Sequence, residues 1–153
     1  MKKKLYQFNQ NNSGGSFVVD EKLCHRLLIE ADSVDEASDI AEGMGVYYNG
    51  CDSGMDCDCC GDRWYRPWSS DGIEFPYSYG TFTPDEANKI AEKYNCKVEK
   101  STKAWADRDT NVIFETPEIF AQYTADNYGW TSPDIRIFYK NGEVKEIFSP
   151  NVR

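Results

Sequence analysis

From Tyr6 to Asn9 aromatic and polar residues alternate, the period-two pattern of a strand with one buried face. Residues 5–9 are therefore predicted as a short strand. Asn11-Asn12-Ser13-Gly14-Gly15 follows as a turn, because Asn and Gly tolerate positive φ. Residues 16–20 are expected to return as a second strand, giving a hairpin over 5–20. Residues 23–31, rich in Leu and Ile, predict a third and central strand. At the other end, 135–139 and 144–148 flank Asn141-Gly142, the strongest short-range hairpin signal in the chain.

Between these strands the period lengthens to that of a helix. Ser33-Val34-Asp35-Glu36 has the form of a capping box. Val34, Ala37, Ile40, Ala41 and Met44 then mark one helical face, ended by Gly45. Thr83-Pro84-Asp85-Glu86 repeats the signal for a helix running to about Tyr94. Thr116-Pro117-Glu118 opens a third, with Ile119, Phe120 and Tyr123 as its apolar face. Residues 96–99 and 112–115 read as strands, 69–80 as an irregular surface excursion, and 100–111, with Trp105, carries no clear period. The expectation is one α+β domain over 1–153, with a mostly antiparallel sheet and about three helices.

Composition narrows the function. The chain has 153 residues, with 17 Lys and Arg against 26 Asp and Glu, for a net charge of −9. That argues against a nucleic-acid-binding surface, which needs clustered cations, and suits either plain solubility or attraction to a basic partner. No 18-residue apolar run is present. Met-Lys-Lys-Lys leads straight into Leu5-Tyr6-Gln7-Phe8 with no apolar core of a signal peptide, so a cytoplasmic, reducing setting is expected. There is no P-loop, Rossmann fingerprint, G-x-S-x-G or H-E-x-x-H, and no enzyme is predicted.

The chemistry concentrates in residues 51–64, which hold four of the six cysteines. Cys57-Asp58-Cys59-Cys60-Gly61 has the form of a zinc knuckle: two thiolates three positions apart can grip one tetrahedral Zn²⁺. The following glycine lets the backbone turn back on the metal. The preferred ligand set is His25, Cys51, Cys57 and Cys60, with Cys59 and Cys24 in reserve and the zinc structural. His25 is the sole histidine, and its plainer reading is a hydrogen-bonded core residue. Disulfides, and a redox role for Cys57 and Cys60, are the rivals to zinc. Trp64, Tyr65 and Trp68, interleaved with Arg63 and Arg66, read as a hydrophobic lid on the loop or as a partner-binding hot spot.

Three segments carry a resemblance: residues 10–17, Ile29-Glu30-Ala31 with its capped helix, and Asp56-Cys57-Asp58-Cys59-Cys60-Gly61-Asp62-Arg63-Trp64. Together they resemble a family of small phage and prophage proteins of unassigned function. A small acidic protein with a zinc loop is similar in profile to the type II-A anti-CRISPR inhibitors of Cas9. The resemblance implies a phage-encoded inhibitor that binds a host defence nuclease, Cas9, and blocks DNA loading or cleavage. The alternatives are a zinc-stabilised phage accessory protein for another partner, and a thiol-redox or metal-dependent enzyme using Cys57 and Cys60.

Overall fold

A computed structural model describes residues 3–11, 17–56, 61–67, 72–100 and 109–150. The fold is α+β with mostly antiparallel pairing, built on two sheets. Strands β1 (Lys3–Asn9), β2 (Arg26–Glu30), β3 (Ile73–Phe75), β7 (Ile135–Phe138) and β8 (Val144–Ile147) form the larger one, in the order β3-β1-β2-β7-β8. The smaller one has β4 (Tyr77–Phe82), β6 (Thr110–Phe114) and β5 (Lys97–Lys100), in the order β4-β6-β5. β2 and β7 run parallel, with Arg26 opposite Ile135; every other pair is antiparallel.

The larger sheet is buried on both faces, and the strand pleat sorts its side chains into two cores. Leu5, Leu28, Ile135 and Ile137 point to one side, where they meet Val112, Phe114, Phe120 and Tyr123 of the smaller sheet and of α4 (Pro117–Tyr128). Tyr6, Phe8, Leu27 and Ile29 point to the other, against Ala37 and Ala41 of α1 (Val34–Met44) and against Trp64. Trp64 is 1% exposed, a member of this core and not an exposed partner-binding residue. α3 (Pro84–Tyr94) packs on the smaller sheet.

Thr83 and Glu86 form a complete capping box. At Ser33 only the hydroxyl half forms, accepting the Glu36 N–H at 3.1 Å. The C-terminal hairpin is as expected, with Phe138 opposite Val144 and Gly142 at φ 92°.

Three expectations are corrected. Residues 17–19 form no strand: the Gln10 side chain holds Val18 by both its N–H and its carbonyl, replacing the backbone ladder of a hairpin over 5–20. β1 pairs instead with β2 and β3. Residues 73–80, within the stretch 69–80 expected to be irregular, supply β3 and most of β4, because Phe75, Tyr77 and Tyr79 alternate toward the aromatic core around Phe120. Ile40, placed on the buried face of α1, is 39% exposed. Beside the three expected helices, the described residues add the single turn α2 (Gly50–Ser53) inside the cysteine loop.

Candidate functional site: the His25 cleft and the cysteine loop

Where the larger sheet's parallel pair begins, β2 and β7 place His25 and Arg26 beside Asp134. Asp134 is fully buried and accepts four hydrogen bonds: His25 Nδ1 at 2.8 Å, Arg26 Nη1 at 2.8 Å, and the backbone N–H groups of Trp130 and Thr131 at 2.9 and 3.2 Å. Burial works to raise the Asp134 pKa, but the His25 bond, the Trp130 N–H and the Arg26 charge outweigh it and hold the carboxyl below its ordinary range. Burial is also the main cause that lowers the His25 pKa, aided by the Arg26 charge and opposed by the bond to Asp134.

The tautomer follows. The neutral ring donates from Nδ1 to Asp134, so Nε2 carries the lone pair. A carboxylate that orients histidine in this way is the usual support for a metal-binding or basic imidazole.

His25 lines a cleft of about 390 Å³ together with Asn9, Gln10, Asn11, Phe17, Tyr65 and Trp130. Phe17 lies against the imidazole, ring centres 4.4 Å apart, and meets Trp130 edge-on at 6.0 Å. Gln10 ties the floor together: its backbone N–H reaches the His25 carbonyl, and its amide reaches Val18, Cys24 and Arg63. Gln10 also bridges to Trp64, which joins the cysteine loop to the end of β1.

Cys51 sits on α2, its N–H bonded to Asp62 Oδ1 at 3.0 Å. Asp56 takes the Tyr47 hydroxyl and the Arg63 N–H, clasping together the two ends of segment 57–60. Gly61, at φ 85°, packs beside Asn11 and Tyr65 of the His25 cleft. The loop thus runs from Cys51 to the rim of the cleft.

Cys57, Cys59, Cys60 and Trp68 lie outside the described residues. Among the described residues no three His, Cys, Asp or Glu side chains group to hold a metal. Of the expected ligands, His25 and Cys51 are described: His25 is oriented by Asp134, and Cys51 sits on α2 with its N–H bonded to Asp62. Cys24 fits poorly: its thiol is buried, bonds the Arg26 carbonyl at 3.2 Å, and has its pKa pushed up to about 12 by burial. The aromatic segment divides. Trp64 is core, Tyr65 is 52% exposed on the cleft, and Arg66 stacks over Tyr48 at 4.2 Å.

Sequence reasoning missed Asp134 and Gln10. Asp134 carries one faint signal, an acid standing directly before the apolar alternation of β7.

Against known proteins, a family model described as a domain of unknown function, DUF7296, matches residues 3–113. The chain belongs to this family. The matched span holds His25, Arg26 and the whole cysteine loop of this DUF7296 protein, while Asp134 lies beyond it. No curated protein and no solved structure matches the chain. Among the described residues no helix is long and apolar enough to cross a membrane.

Proposed function

We propose that this DUF7296 protein is a binding protein without catalytic activity, which docks a host protein on the aromatic cleft over His25. One observation carries the reading: Phe17, Tyr65 and Trp130 line a single cleft, and Tyr65 and Trp130 keep 52% and 38% of their surface exposed. Val18 and Val19, 38% and 44% exposed, extend the chain from Phe17. Exposed Trp and Tyr above a hydrogen-bonded floor are the composition of a binding hot spot.

The net charge of −9 favours a basic partner, and the rings offer faces for an inserted Arg or Lys. The resemblance of residues 10–17 and 56–64 to phage and prophage proteins supplies the narrower identity, an anti-CRISPR-type inhibitor of Cas9 acting in the bacterial cytoplasm. A structural Zn²⁺ on His25, Cys51, Cys57 and Cys60 would hold the loop against the cleft.

Size-exclusion chromatography and DNA-cleavage assays with guide-loaded Cas9 test it. The expected result is a stable complex, weakened by salt, with cleavage blocked, and at least about tenfold weaker binding for Tyr65→Ala/Trp130→Ala. Absence of a complex overturns the Cas9 reading. A complex indifferent to the double substitution overturns the cleft as the docking surface.

A further inference from the structure

A second cleft, of about 420 Å³, opens on the other side of Asn9, which lines both. Its walls include Gln7, Asn9, Arg26, Tyr77, Tyr79 and Tyr128. The volume falls within the range of small-molecule sites.

Its chemistry differs from the rest of the surface. In a chain with 26 Asp and Glu residues, no carboxylate among the described residues lines it. Among the described residues Arg26 is its one charged side chain, held to the wall by Asp134 Oδ2 at 2.8 Å and by the Tyr128 carbonyl at 3.2 Å. Asp134 offsets that charge, leaving the wall close to neutral.

The aromatic side is formed by Tyr77 and Tyr79, ring centres 5.7 Å apart, both packed edge-on to Phe120. Among the described residues neither phenol hydroxyl has a hydrogen-bond partner. Facing them on β1 is an amide pair. Gln7 Nε2 donates to Asn9 Oδ1 at 3.0 Å, which leaves the acceptor Gln7 Oε1 and the donor Asn9 Nδ2 for a ligand. Gln7 and Asn9 are two positions apart on a strand, so both project from the same face.

We infer that this cleft binds a neutral planar heterocycle of nucleoside size. An aromatic ring in the wall accepts a base by stacking, whichever base it is. A paired acceptor and donor matches the donor–acceptor edge that nucleobases carry. No carboxylate among the described residues lines the cleft to attract a cationic ligand, and the net charge of −9 opposes a polyanionic strand. The inference is independent of the docking reading, which uses the other cleft.

Titration calorimetry of the full chain with adenosine, guanosine, cytidine and uridine tests it, with a single-stranded hexanucleotide as the comparison. At least one nucleoside is expected to bind saturably, and more tightly than the hexanucleotide. Gln7→Ala/Asn9→Ala should weaken it about tenfold or more, the loss of a hydrogen bond or two. Tyr79→Phe should weaken it severalfold with thermal stability unchanged, since that hydroxyl has no hydrogen-bond partner among the described residues. Tyr65→Ala/Trp130→Ala should leave nucleoside affinity unchanged. No binding of any nucleoside, binding indifferent to the amide substitutions, or tighter binding of the hexanucleotide would each overturn the inference.

Discussion

Asp134 Oδ1 stands 2.8 Å from His25 Nδ1, across 109 residues of chain, while Asp134 Oδ2 holds Arg26 at the same distance. One buried carboxylate thus sets the tautomer of the sole histidine and neutralises the cation next to it. Both clefts depend on that group, one through His25 and the other through Arg26.

Asp134→Ala should accordingly be among the most damaging single substitutions. It leaves a largely buried guanidinium without its counter-charge and two backbone N–H groups without their acceptor. Breaking a buried pair from one side costs about 3–5 kcal/mol. Urea unfolding should show a lower midpoint with an unchanged slope.

Acid sensitivity should come in two steps. The folded His25 has a pKa below its ordinary 6.5, so as pH falls the unfolded chain takes up that proton first. The stability from neutral His25 is complete above pH 6.5 and declines from there until the folded ring itself is protonated. Asp134, also depressed, gives stability that is complete above its ordinary 3.8 and is lost as pH falls through its folded value. Asp20 adds to this second step, its carboxylate held down by the Leu23 and Lys22 N–H groups. Because the chain has one histidine, His25→Gln should erase the upper step, and it should weaken the lower one without abolishing it, since the His25 bond helps hold Asp134 down while Asp20 and the Trp130 N–H bond to Asp134 remain. Unfolding midpoints from pH 4 to 8 follow the upper step directly.

The local features were legible and the long-range ones were not. Thr83, Thr116 and Asn141-Gly142 announce two helices and a hairpin, because caps and turns are written in three or four adjacent residues. The parallel pairing of β2 with β7 joins segments more than a hundred residues apart, and nothing near Arg26 encodes it. Pro76 and Gly80 read as breakers of structure, yet they punctuate β3 and β4, whose aromatic residues take strand form by packing on Phe120. Gln10 and Asp134 look like ordinary polar residues until tertiary contact supplies their partners. His25 and Cys51 were singled out from composition, but their surroundings depend on Gln10, Asp62 and Asp134.

Closure of the cysteine loop rests on a close approach at Gly50. A Cβ there would run into the Asp56 carboxylate and the Tyr47 ring, the two groups that clasp the loop. Gly50→Ala should release the Asp56 bond to the Arg63 N–H and free the loop from the end of β1. Amide hydrogen exchange at Arg63 and Asn11 should then accelerate well before global unfolding, since both N–H groups are bonded within this joint. Gly54→Ala makes the control: a Cβ there meets nothing within 4 Å, so its cost is confined to the positive φ of 84°.

Zinc content decides what holds the segment between Asp56 and Gly61. If His25, Cys51, Cys57 and Cys60 bind Zn²⁺, elemental analysis of the purified protein should find about one zinc per chain. A strong chelator should lower the melting temperature, because the free energy of binding a structural metal is folding free energy. Cys57→Ser/Cys60→Ser should abolish both the zinc and the chelator effect, and Cys24→Ser should leave the zinc in place, its thiol being committed to the core. His25→Gln separates the two roles of the imidazole. Loss of zinc along with the upper acid step would assign Nε2 to the metal, whereas loss of the acid step with zinc retained would assign His25 to Asp134 alone and pass the fourth position to another ligand. Protein purified without zinc, and unaffected by the chelator, would remove the metal from the reading and leave the Asp56 clasp as the loop's support.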